Sequence, residues 1–191
     1  MKALRGISGR KTALFFTAFL LAMPLGLFGR DALDEVDWDR IETQLYREMK
    51  AKGGKSDAEI HQAIGLGLLN AHNQWERATY HFQHAVKLDP ELYWSWYNLG
   101  VIYIETEEGN EFFEKAVEAK PDFPPAYYWL AYNRVLAGKG EESIPLWEKY
   151  LEVAKSAEDE VARIKFAKNV LWELKAGIEG DRIKTIRGNM Q

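Results

Sequence analysis

The 191-residue chain contains no cysteine, and that alone excludes disulfides, thiolate nucleophiles, zinc–thiolate sites and haem bound through a Cys-x-x-Cys-His motif. A thiol-free chain suits oxidising and reducing compartments equally, so no compartment follows from this. Strand-like Val/Ile/Thr runs bounded by paired turns are also missing, while 47% of the residues are hydrophobic; an essentially all-α domain with a core of its own is expected. There is no Gly-rich phosphate loop, nucleophile elbow or His-Glu-x-x-His helix. Neither an enzyme nor a cofactor protein is therefore expected. Positive charge is scarce as well. Four of the 25 Lys and Arg residues fall in residues 1–29 and none of the 29 Asp and Glu, so residues 30–191 carry a net charge of −8 with histidine neutral. That sign opposes binding to a phosphate backbone, and nucleic acid is not an expected partner. Arg182, Lys184 and Arg187 form a basic tail too small to change this and read as a solvated end.

What the chain does contain is a recurring phrase. Ala85-Val86-Lys87-Leu88-Asp89-Pro90 returns as Ala116-Val117-Glu118-Ala119-Lys120-Pro121, and Trp96-Tyr97-Asn98-Leu99-Gly100 finds its counterpart in Tyr127-Tyr128-Trp129-Leu130-Ala131. The unit repeats over 31 residues and then over 34. A period of this length, with a small residue midway and Pro at the end, describes a pair of antiparallel helices stacked on its neighbours. Such an architecture presents a groove and carries no chemistry of its own.

These residues resemble the tetratricopeptide repeat (TPR) family over about residues 57–155. Trp96, Leu99, Gly100 and Tyr103 match its first-helix pattern, and Trp75, Ala78, Phe82, Ala85 and Pro90 its second-helix pattern, with Ala63, Gly65 and Gly67 on a less typical first helix. In the middle repeat, Gly109, Phe113, Ala116 and Pro121 sit three places early, which shortens the turn and leaves it without its usual glycine. The third repeat departs at Tyr150, where a small residue is expected, and at Lys155, where Pro is expected. The resemblance implies three helical hairpins in a right-handed superhelical solenoid.

Local signals mark the same helices. Ser56-Asp57-Ala58-Glu59 is a capping box, and Ile60, Ala63, Ile64, Gly67, Leu68 and Ala71 follow at helical spacing. His72-Asn73 breaks that helix, and the next runs from about Gln74 to Asp89-Pro90, because the residue before Pro disfavours helical dihedrals. Pro121, Pro124-Pro125 and Gly138-Lys139-Gly140 punctuate the later units, with Pro145 placed in a first turn that starts near Glu142. Residues 30–56 hold an amphipathic helix over 33–52, with Leu33, Ile41, Leu45 and Met49 on one stripe, Gly53-Gly54 at its end and no evident helical partner. Residues 156–176 carry Val161, Ile164, Ala167, Leu171 and Leu174 on one face and suit a capping helix. Residues 177–191 read as a flexible tail.

Residues 1–29 form a separate element. Lys2, Arg5, Arg10 and Lys11 precede the uncharged 18-residue stretch Thr12–Gly29, and Asp31, Asp34, Glu35, Asp37 and Asp39 follow it. By the positive-inside rule residues 30–191 lie outside the cytoplasm, in the cell envelope. An 18-residue helix is ~27 Å long, barely enough to cross a bilayer as an N-terminal apolar anchor. Pro24, Gly26 and Leu27-Phe28-Gly29 alternatively mark a cleavable signal peptide with a poor cleavage site. Both readings stand at this point.

His81 and His84, three apart on one helix, can share a face and hold a metal, with His72 as the nearest third candidate; two surface histidines explain the spacing as well, and no metal site is assigned. Glu107-Glu108, Glu141-Glu142 and Glu158-Asp159-Glu160 sit at helix starts, where carboxylates interact favourably with the helix dipole. In the TPR family the first helix of each repeat faces a concave groove, and the matching positions here are Trp94, Tyr97, Val101 and Ile104, then Tyr128, Tyr132 and Val135. Members that bind a peptide carboxylate use Lys, Arg and Asn there. Here Ala63, Gly67, Tyr97, Val101, Tyr128 and Tyr132 replace most of such a clamp. An aromatic groove of this kind suits an apolar or Pro-rich peptide or a partner helix, unless the 33–52 helix fills it or the rings belong to the core. The expected function is an exported, membrane-tethered scaffold that docks on another envelope or membrane protein. The alternative is a small accessory or assembly subunit held permanently in a larger membrane or redox complex.

Overall fold

A computed structural model describes residues 36–72, 74–155 and 160–177, the side chains of Ala71 and His72 excepted. Residues 1–35 and 178–191 lie outside the described residues, and with them Leu33, the apolar stretch and the basic tail. Among the described residues there are eight α-helices and no strand. None of these helices is long and apolar enough to cross a membrane.

The chain divides into two compact units at Asp89/Pro90. The first holds α1 (Trp38–Lys52), α2 (Asp57–His72) and α3 (Trp75–Leu88). Ser56 and Glu59 satisfy each other's backbone donors at the start of α2, at 3.2 and 2.7 Å, as the capping box requires. Helix α1 begins at Trp38 because Asp37 caps it, accepting from the Arg40 N–H at 3.1 Å. It ends at Gly53, whose φ of +68° suits glycine. Contrary to the sequence reading, α1 has a partner: it packs on α2 and is joined to α3 by Arg77.

The second unit holds α4 (Tyr93–Ile102), α5 (Glu107–Ala119), α6 (Pro124–Leu136), α7 (Gly140–Val153) and α8 (Val161–Lys175). Helices α4 and α5 form one hairpin, α6 and α7 the next, and α8 packs on α7. Small residues on the second helices, Ala78, Gly109 and Ser143, are buried at equivalent places. Ala85 and Ala116 are likewise fully buried. Each hairpin nests a large ring on a small residue. A Cβ on Gly65 would stand 2.9 Å from the Phe82 ring, and one on Gly100 2.5 Å from Phe113; Ala131 and Trp147, at the matching repeat positions, are fully buried in one core.

The shortened α4–α5 turn has a specific geometry. Glu105 takes the left-handed conformation, φ +66°, that glycine adopts more readily. The Thr106 hydroxyl then donates to the Tyr103 carbonyl at 2.6 Å and accepts from the Gly109 N–H at 3.0 Å. Pro145 differs from expectation, since α7 starts at Gly140 and places it inside the helix, where its missing N–H removes the bond to the carbonyl four residues earlier.

Candidate functional site

The seven expected groove positions divide into two sets within the second unit. On α4, Trp94 is 41% exposed. Its ring meets Tyr97 edge-on at 5.5 Å and Phe123 at 4.9 Å. Tyr97 is half-buried against Phe113 and Phe123, at 5.8 and 5.3 Å, and its hydroxyl accepts from the Trp129 indole N–H at 3.3 Å. Burial pushes the Tyr97 phenol above its ordinary pKa. Val101 and Ile104 are also half-buried, Ile104 in the turn beyond the helix end. Asn98 is committed to the helix itself, its amide donating to the Trp94 carbonyl at 2.6 Å. This face offers ring edges and apolar surface.

On α6 the situation is opposite. Tyr128, Tyr132 and Val135 are 8, 5 and 5% exposed and share a core with Trp147, Tyr150, Phe166, Ala167 and Val170. Phe166 of α8 lies 6.1 Å from the Tyr128 ring and 6.3 Å from Tyr132. These three positions are therefore core, covered by α8. Burial, then the neighbouring Tyr132, raises the Tyr128 phenol to about 12.

One charged group holds α8 in place. Glu160, 3% exposed, accepts from the Tyr150 hydroxyl and from Arg163, both at 2.7 Å, while the Arg163 guanidinium stands 5.6 Å over the Tyr128 ring. Burial and the Glu160 bond push the Tyr150 phenol far up. The sequence reading assigned Glu160 to the dipole of its own helix start; its side chain makes no capping bond and ties α7 to α8 instead. Tyr150, read as a departure from the repeat pattern, was the signal for that tie.

Trp96, which matches the first-helix pattern, is half-buried. Its indole N–H donates to the Pro90 carbonyl at 2.8 Å and its ring stacks on Phe112 at 6.0 Å.

The first unit contains a cleft of about 830 Å³ lined by Glu42, Tyr46, His61, Arg77, Tyr80 and His81 among others. The partner that His81 and His84 find is His61 on α2. The Nδ1 atoms of His61 and His81 are 2.9 Å apart, and His84 stacks on His61 with ring centres 5.3 Å apart. Among the described residues no group of three or more His, Asp or Glu side chains is placed to hold a metal ion.

No protein-family model and no curated protein sequence matches the chain. Solved structures do. The TPR2B domain of yeast Sti1, in complex with pHsp70, superposes with a TM-score of 0.53 at 15% identity, over 63% of this chain and 97% of that one. The type III secretion translocator chaperone SycD of Yersinia enterocolitica gives 0.56 at 15% identity, over 64% and 96%. MamA gives 0.54 at 16% identity, over 81% and 92%. At these identities the likeness is one of fold, and it agrees with the nested small–large pairs and the helix order described above: the chain is a TPR-like helical repeat protein.

Proposed function

We propose that the protein is a non-enzymatic scaffold, exported and tethered to a membrane by residues 12–29, that holds a peptide or helix of another envelope or membrane protein on the aromatic face of α4. A TPR-like repeat carries a binding surface in place of a reaction centre, and two structural neighbours are a TPR domain in complex with pHsp70 and a translocator chaperone. The observation that carries the reading is Trp94. A large ring 41% exposed in a repeat core that buries Tyr128, Trp147 and Phe166 is contact area not used by the second unit's own packing, and such rings dominate binding energy at interfaces.

Full-length protein with a photo-crosslinking residue at Trp94 should give one discrete adduct in native membranes, and the same residue at Glu118 should give none. Trp94→Ala should weaken capture of the crosslinked partner by about 2 kcal/mol or more without moving the melting midpoint. Equal adducts from both positions, or undiminished capture by Trp94→Ala, would remove α4 as the docking face. Export has its own test. A reporter active only outside the cytoplasm, fused after Gln191, should be active, and an inactive reporter on a soluble protein refutes the tether and the localisation together.

A further inference from the structure

Helix α1 is joined to the α2/α3 hairpin more by ions and rings than by apolar burial. Of its residues only Trp38 is fully buried, while Ile41, Leu45 and Met49 remain partly accessible. Arg77 of α3 reaches Asp39 at 2.7 Å and Glu42 at 3.0 Å. The other Glu42 oxygen lies 3.3 Å from His81 Nε2, and the far nitrogen of that ring meets His61. The Tyr46 ring of α1 stands 5.4 Å from His61, and Tyr80 lies 4.3 Å from His84. One line of contacts thus runs from α2 through α3 to α1.

Counting protons along that line shows its limit. With neutral rings it closes: His61 Nδ1–H donates to His81 Nδ1, and His81 Nε2–H donates to Glu42. One added proton is tolerated, because His81 can donate from both nitrogens while His61 turns its Nδ1 into an acceptor and Glu42 offsets the charge. A second proton on the pair sets two N–H groups against each other at 2.9 Å, with a third imidazole, His84, stacked alongside.

We propose that His61, His81 and His84 form a proton-operated latch, in which acidification releases α1 from the α2/α3 hairpin and uncovers the face of α2 on which α1 packs. The charged and titratable groups around the latch are Asp39, Glu42, Tyr46 and Arg47 from α1, Asp57 from α2, and Glu76, Arg77 and Tyr80 from α3. Burial first, and then the charges of His81 and His84, hold the His61 imidazole below its ordinary range. Release returns His61 to water and to its ordinary affinity, so the open form binds more protons than the closed form below a pH of about 6.5. The closed form is therefore fully favoured above that pH and loses ground as pH falls through it.

Hydrogen exchange of the full-length protein, with exchange times scaled for the intrinsic effect of pH, reads this directly. Between pH of about 7.5 and about 5.5 a single linked proton raises the opening constant about tenfold, so the α1 amides should lose about tenfold in protection while α5 keeps its own. His61→Gln, which retains a polar side chain without a titration, should hold α1 protected at both pH values, and His84→Gln should reduce the change. Equal α1 protection at both pH values in the parent, or an equal loss in α5, overturns the latch, as does a loss in His61→Gln as large as the parent's. If His61→Gln has lost α1 already at neutral pH, His84→Gln decides, and a change as large as the parent's there also overturns it.

Discussion

Gly109→Ala should destroy the α4/α5 hairpin although it improves the intrinsic helix propensity of α5. Propensity alone favours alanine in a helix by about 1 kcal/mol. Sterics oppose it more strongly: a Cβ at position 109 would stand 2.1 Å from the Tyr103 carbonyl oxygen and 2.8 Å from its carbon. These are backbone atoms, fixed by the Thr106 hydroxyl bond and by the chain turning at Glu105, so no rotamer relieves the contact. A cost at or above the ~1–3 kcal/mol typical of core overpacking is expected, with the Thr106–Gly109 cap broken as well. Thermal melting measures it. Gly138→Ala is the informative control. It has nothing within 4 Å and a φ of +75°, so its penalty is the left-handed backbone alone, ~1–2 kcal/mol. If Gly109→Ala melts at or above the parent, the close approach of α5 to the α4 carbonyls is wrong.

Tyr128→Ala should cost about 3–5 kcal/mol, the usual range for truncating a large buried aromatic, and should release α8 first. The ring is edge-on to Trp147 at 5.4 Å and to Tyr150 at 5.5 Å, and Arg163 covers its face; its loss opens a cavity shared by α6, α7 and α8. Tyr128→Phe keeps the ring and its packing against Trp147 and Tyr150 and should be nearly neutral. Circular dichroism melting, with hydrogen exchange of residues 161–175, separates the outcomes. A Tyr128→Ala protein with an unchanged midpoint and a protected α8 would return this ring to an open binding surface. Trp94→Ala, by contrast, leaves the fold alone, so two positions that the repeat pattern assigns alike to the groove should behave in opposite ways.

That opposition shows how far the sequence could be read. Helix positions were legible because they rest on local rules: a capping box at Ser56, Pro at 90 and 121, and a spacing that brings Ala85 and Ala116 into the core. The nested pairs were half legible. Gly100 and Phe113 each fit the repeat pattern, but only the fold sets one against the other. What covers a repeat face is a long-range fact. Tyr97 and Tyr128 occupy the same register position, and whether such a ring meets a partner, water or Phe166 depends on a helix that follows it by some 30 residues and carries no repeat signature. Glu160 was misassigned for the same reason, since a carboxylate at a helix start satisfies the dipole rule whether or not a tyrosine from another helix reaches it. His61 lay within a helix expected for its apolar stripe, and nothing local linked it to His81, 20 residues away.

The position of α8 has a consequence for how the chain is made. The ring core of the second unit, from Tyr128 to Tyr150, is synthesised before Phe166, Ala167 and Val170, which complete it. A ribosome delivers these residues in order, at roughly 5–20 per second, so every nascent chain passes through a stage in which its richest aromatic surface is fully translated and still bare. During that interval the unit is at its most adhesive, and the interval ends only when α8 clears the exit tunnel and docks on the rings.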